Sequence, residues 1–182
     1  YSDLDFIFLQ KIVERVSGMS LDNYVAKNFY SPLGMKETQF NPRKKPLKNR
    51  IAPSEFDNYW RNKKVQGYVH DMGAAMFGGV SGHAGLFSTA KDVSVLMQML
   101  LNGGVYEGRR YLKKETIDLF TARNSFISRR GLGFDKPKPK TSERYQPTAT
   151  NCSLQTFGHT GFTGIGVWAD PKHNIQFIFL SN

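Results

Sequence analysis

The sequence holds a single cysteine, Cys152, so no disulfide can form within the chain. A lone thiol with no evident partner base reads as a small buried hydrophobe, not as a nucleophile. No apolar run approaches the roughly 20 residues that cross a bilayer, and no basic-then-apolar leader opens the chain. Histidine is scarce, with four in 182 residues. The spacing of His70, Asp71, His83 and His159 matches no local ligand signature, so no metal and no cofactor is expected. Acidic residues are also few, 15 against 25 Lys and Arg, which leaves a net charge of +10. Much of that excess sits in "NPRKKPLKNR" (41–50) and "DKPKPKTSER" (135–144). Neither stretch lies on one helix face, and neither interleaves aromatics on which bases could stack. They read as solvated loops, and no nucleic-acid partner is expected.

Forty per cent of the residues are hydrophobic and 13% aromatic, enough for one sizeable core or two small lobes. The chain opens on "YSDLDF" and stops on "FIFLSN", which reads as the middle of a strand. It is therefore expected to be a piece of something longer. Leu4, Phe8, Leu9, Ile12, Val13 and Val16 form a helical stripe, and Gly18 sits where a helix stops. Ser20 is placed to cap a second helix, closed by "SPLGM". Residues 36–66 are polar and dotted with proline, and are expected to be irregular. A glycine-rich loop follows at 76–87. Helices are expected from Ala90 to Asn102 and near 114–122. Strands are expected at 131–134, 154–158, 165–169 and 175–180, the last two flanking a "DPKHN" turn. Helices first and an antiparallel sheet afterwards predict an α+β architecture. The expected organisation is one domain, 1–182, with a helical lobe over about 1–125 and sheet strands over about 131–182.

One string, "STAK" (88–91), fits the S-x-x-K pattern of a serine activated by lysine. However, Thr89-x-x-Asp92 directly before an apolar stripe is a capping box. Lys91, at an exposed helix start, has no reason to be the neutral base such chemistry needs. "GGVSGHAG" fails as a G-x-S-x-G elbow because its fifth position is His83, and no G-K-[ST] makes it a phosphate cradle.

"YSD" opening a helix, then "QGYVHD", "GGVSGHAGLFSTAKD", and "GHTGFTG" before "WADP" follow in an order that resembles the serine β-lactamase and penicillin-binding-protein superfamily. The resemblance covers nearly the whole chain. It is closest to the class C-like branch of esterases, D,D-peptidases and muramyl-peptide amidases, and implies a β-lactamase/transpeptidase-like fold. Tyr1 matches the tyrosine of the Y-x-N motif, a general base or proton relay. Asp3 falls where that motif usually has Asn; a carboxylate cannot donate a hydrogen bond unless protonated, so it fits better as an acceptor from a neighbouring lysine. His159, Thr160 and Gly161 match the K-T-G or H-x-G strand motif. In that role Gly161 clears the strand edge, and the Phe162 N–H is one donor to a developing oxyanion. Thr160 adds a hydroxyl contact, and His159 tunes Tyr1 or anchors a substrate carboxylate. Ser81 and His83 border the cleft or serve packing.

The resemblance further implies a serine hydrolase working through an acyl-enzyme on amides or esters, with peptidoglycan-derived or β-lactam-like substrates and an extracytoplasmic location. The family's nucleophilic Ser and Lys precede Y-x-N, so this chain alone is expected to be inactive. Two rival readings are a non-catalytic relative that binds wall fragments and a basic module for anionic polymers. Oligomeric state and the choice among substrates are not specified by these motifs.

Overall fold

The computed structural model describes residues 1–42, 48–138 and 147–182, so the basic loops 41–50 and 135–144 lie partly outside the described residues. Its contacts gather into two units, Tyr1–Asp92 with Asn182, and Val93–Ser181. The division falls inside a helix, α4 (Ala90–Leu101).

The first unit begins with α1 (Asp3–Ser17), which ends as its sequence predicts. Gly18 takes the left-handed conformation, φ 67°, and its N–H donates to the Glu14 carbonyl at 3.0 Å. The apolar stripe of α1 nevertheless faces outward: Leu4, Phe8, Leu9, Ile12 and Val16 are all exposed. The residue turned inward is Gln10, 5% exposed. Its amide donates to Glu14 and accepts the Gly82 N–H at 3.0 Å, which ties α1 to the glycine-rich loop. A Cβ on Gly82 would lie 2.1 Å from the Phe6 carbonyl oxygen, so only glycine lets the loop approach this closely. Ser20 precedes α2 (Leu21–Val25), which runs on through a π turn at Ala26–Tyr30. Burial pushes the Tyr30 hydroxyl up to about 12.

Where irregular chain was expected, there are strands. β1 (Gln39–Phe40) pairs antiparallel with β4 (Leu86–Phe87). A hairpin joins β2 (Pro53–Asp57) to β3 (Lys63–Gln66). The Asp57 carboxylate holds its turn, accepting the N–H groups of Tyr59, Trp60 and Arg61 and the Arg61 Nε–H. The Trp60 N–H and Arg61 together hold that carboxyl far below its ordinary range. Arg61 also donates to the carbonyls of Val69 and His70 at 2.7 and 2.6 Å. It so fixes the "VHD" segment that leads into α3 (Met72–Met76). Val69, Ala74 and Ala75 form the small core there, with Tyr68 and Ala84 against it.

α4 is capped as expected, with the Asp92 N–H donating to Thr89 Oγ1 at 3.2 Å. The box does not close, because the Asp92 carboxylate accepts from the Glu37 N–H and the Thr38 hydroxyl instead. In the second unit, β5 (Val105–Tyr106) and β6 (Arg109–Arg110) form a short hairpin before α5 (Lys114–Thr121). A three-stranded antiparallel sheet follows in the order β7 (Phe157–Thr160), β8 (Gly166–Asp170), β9 (Ile175–Phe179). Met97, Phe157 and Ala169 are its buried core, with Val93, Leu100, Leu101 and Phe134 packed against them. "GLGF" (131–134) is a turn and not a strand: the Gly131 N–H donates to the Phe134 carbonyl, and Gly133 has φ 83°. The next residue, Asp135, bridges to β7 at Gly158. Among the described residues no helix is long and apolar enough to cross a membrane.

Candidate active site

β7 carries "HTG" to the end of its pairing with β8, where Thr160 faces Gly166. Gly158 exchanges both backbone hydrogen bonds with Asp135, so by strand alternation the Thr160 N–H and C=O point to the same outer edge. Beyond it the chain turns: the Gly161 N–H donates to the Ile165 carbonyl at 2.8 Å, and the Gly164 N–H to the Gly161 carbonyl at 3.1 Å. Gly164 has φ +90°, the left-handed position that closes such a hairpin. Gly161 has no such requirement; a Cβ there would meet Ile165 Cβ at 3.2 Å. Thr160, Gly161 and Phe162 are exposed, and Phe162 is 92% exposed.

His159 is half-buried and oriented from behind. An Arg130 N–H donor lies 2.7 Å from His159 Nε2, and His159 Nδ1 lies 2.6 Å from the Thr160 carbonyl. A guanidinium has no acceptor, so Nε2 must accept and Nδ1 must carry the hydrogen given to Thr160. Arg130 in turn pairs with Asp135 at 3.3 Å, and Arg129 grips both oxygens of the same carboxylate at 2.7 and 2.6 Å. Burial opposes the charge on Asp135, but Arg129, the Lys136 N–H and Arg130 outweigh it and hold the carboxyl below its ordinary value. Arg129 and Arg130 thus share the one Asp135 carboxylate behind the "HTG" edge. Sequence reasoning missed Arg129, Arg130 and Asp135, because "SRRG" and "FDK" resemble ordinary polar loop.

The first unit holds the other motif residues. Tyr1 is 66% exposed at the mouth of α1, its ring 5.4 Å from that of Phe6. Asp3 is exposed in the first turn of α1. Ser81, only 3% exposed, places Oγ 3.0 Å from His83 Nδ1. His83 Nε2 lies 2.9 Å from Asp71 Oδ1. Asp71 also caps α3, accepting the Ala74 N–H at 2.7 Å. Burial works against its charge, yet the Ala74 N–H and His83 keep the carboxyl below its ordinary value. Asp3, Asp71 and His83 bring one potential ligand atom each to within 4.8 Å of one another. The string "STAK" is otherwise engaged: Thr89 caps α4, and Ser88 Oγ lies 2.7 Å from the Thr38 hydroxyl.

The α+β arrangement is that of one class, the β-lactamase and penicillin-binding-protein fold. The Beta-lactamase family model matches residues 1–182, and the chain belongs to that family. The chain is 40% identical over 195 residues to an Escherichia coli (strain K12) protein named "Putative D-alanyl-D-alanine carboxypeptidase", covering all of this chain and 44% of that protein. It thus spans under half the length of the curated relatives it matches. A β-lactamase from Mycobacterium bovis has the same fold, with TM-score 0.67 and 22% identity over all of this chain and 55% of its own. So does the octameric penicillin-binding protein homologue from Pyrococcus abyssi, with TM-score 0.68 and 20% identity over all of this chain and 38% of its own.

Proposed function

We propose that the protein is a serine hydrolase that works through an acyl-enzyme, and that its substrates are peptidoglycan-derived peptides ending in a carboxylate. The observation that carries this reading is the "HTG" end of β7, backed by the Arg130–His159 pair. Acyl transfer needs backbone N–H groups aimed where an oxyanion develops, and an exposed strand end without a bulky side chain offers them. Phe162 supplies such an N–H and Thr160 a hydroxyl, while the Arg130 guanidinium behind His159 lends the positive potential that favours a substrate carboxylate. The name of the Escherichia coli relative, which refers to a carboxypeptidase acting on D-alanyl-D-alanine, supports that substrate class.

Tyr1 is the proposed base or proton relay. Ser81 and His83 act by position, Ser81 by orienting the imidazole. Because Thr89 caps α4 and Ser88 is bonded to Thr38, the nucleophile on this reading lies outside residues 1–182; cell-wall substrates would place the activity outside the cytoplasm. Residues 1–182 alone should then hydrolyse neither a chromogenic ester nor a cephalosporin. In the whole protein, Tyr1→Phe should slow acylation about 10²–10⁴-fold, the usual worth of a general acid–base group, with folding unchanged. Stopped-flow acylation by a reporter β-lactam measures this. A rate near wild type removes Tyr1 from the mechanism. A wild-type protein that binds wall peptides and never forms an acyl-enzyme is a binding relative instead.

A further inference from the structure

We infer that Asp3, Asp71 and His83 form a site for one divalent first-row cation, zinc or manganese, that ties the start of α1 to the start of α3 and to the loop before β4. The three ligand atoms lie within 4.8 Å of one another. The 2.9 Å between His83 Nε2 and Asp71 Oδ1 is close to the separation of neighbouring ligands on a cation with bonds of about 2.1 Å, about 3.0 Å in an octahedron and about 3.4 Å in the tetrahedron that zinc prefers. Asp3 is exposed, so its carboxylate can swing the remaining distance without disturbing a packed core. Two carboxylates and an imidazole form a mixed oxygen and nitrogen set, which suits zinc or manganese better than calcium or magnesium.

Two further features belong to a cation site more than to a simple hydrogen bond. The His83 ring is fixed from its far side by Ser81 Oγ, 3.0 Å from Nδ1. A hydroxyl donates or accepts, so Ser81 can take the Nδ1 hydrogen and free the Nε2 lone pair for a cation, the usual arrangement behind a ligating histidine. Then there is Gly73. A Cβ on it would lie 3.2 Å from Asp71 Oδ1 and 3.9 Å from His83 Nε2. Gly73 sits in α3 without positive φ, where alanine is the better helix former. The missing side chain keeps open the space against both ligand atoms. Spacing could not reveal the set, because its members stand at positions 3, 71 and 83.

The test is calorimetric titration of the full chain, stripped with chelator, using zinc, manganese and, as a control, magnesium. Zinc or manganese should bind at one equivalent more than in Asp3→Asn, and magnesium at least about tenfold more weakly. Gly73→Ala keeps every ligand and favours the helix, so its melting temperature should hold while zinc affinity falls. Ser81→Ala should weaken zinc about 10–100-fold, the usual effect of removing a histidine's outer partner. Binding of cobalt should bring a visible absorption band that Asp3→Asn loses. The site is overturned if the wild-type chain takes up no zinc or manganese. It is equally overturned if folded Asp3→Asn and Gly73→Ala bind them as the wild type does.

Discussion

Asp170 shows how much one carboxylate can organise. It accepts the Ser153 N–H at 2.7 Å, the Ser153 hydroxyl at 2.6 Å, the Lys172 N–H at 3.0 Å and a His173 ring nitrogen at 2.8 Å. Burial opposes its charge, but Ser153 and His173 hold the carboxyl far below the ordinary range. The folded state therefore binds this proton less readily than the unfolded chain. Its contribution to stability is complete above the unfolded carboxylate's value of about 3.9 and is lost as the pH falls below it. Asp170→Asn should cost stability at neutral pH, and the gap to wild type should narrow below about pH 4. Urea melts of both proteins across that range measure this; a gap independent of pH would mean the charge is not what holds the turn. Lys136 makes the opposite point about legibility. In "DKPKPK" it reads as one more solvated cation. It is 7% exposed, and its ammonium donates to the carbonyls of Thr121, Gln155 and Thr156. Burial lowers its pKa. Nothing local in the sequence announces those three carbonyls, which come from residues 15 to 20 positions away.

At the scale of elements, glycines separate packing from site. A Cβ on Gly158 would lie 2.0 Å from the Val167 carbonyl oxygen and 2.8 Å from Trp168, so β7 and β8 can pair only with glycine there. Gly158→Ala should destabilise the sheet by roughly 1–3 kcal/mol, the usual range for overpacking. A Cβ on Gly161 would meet only Ile165, whose Cβ at 3.2 Å need give way by no more than a few tenths of an ångström. Gly161→Ala should keep most of the stability and lose turnover in the whole protein. Equal loss of stability in both variants would make Gly161 a packing residue. The motif glycines were legible because they stand beside His, Thr and Ser in a patterned order. The helices were legible because Gly18 and Thr89 mark their ends and apolar residues recur at helical spacing. The β2–β3 hairpin was not, since Glu55, Lys63 and Lys64 mask the alternation and one carboxylate, Asp57, organises the turn. "GLGF" misled in the other direction. Leu and Phe suggest a strand, but Gly133 takes a left-handed turn.

At the scale of the whole molecule, apolar stripes are exposed on α1 and on β9 among the described residues. On α1 they are Leu4, Phe8, Ile12 and Val16, and on β9 Ile175, Phe177 and Phe179. Exposed apolar stripes of this kind favour association with other apolar surfaces. Residues 1–182 prepared alone should bind a hydrophobic dye and self-associate with rising concentration, and Phe8→Lys with Phe177→Lys should reduce both. Sedimentation velocity decides, and a monodisperse wild-type sample that ignores the dye would show these faces to be inert. The sequence supplied the stripe of α1 but not its direction. Gln10 is the inward residue, because its amide bonds the Gly82 N–H and the Val80 carbonyl of the loop, which leucine could not. The two tryptophans have a practical consequence. Trp60 belongs to the first unit and is 47% exposed, whereas Trp168 belongs to the second and is 7% exposed, lying against Gly158. Each unit thus carries its own fluorophore, one emitting from near-aqueous surroundings and one from a dry interior. With Trp60→Phe the remaining light comes from β8, the strand that ends at Asp170, and its colour reports the opening of the sheet. With Trp168→Phe it reports the "VHD" side, so a single spectrometer can ask whether the two halves of the chain melt together or apart.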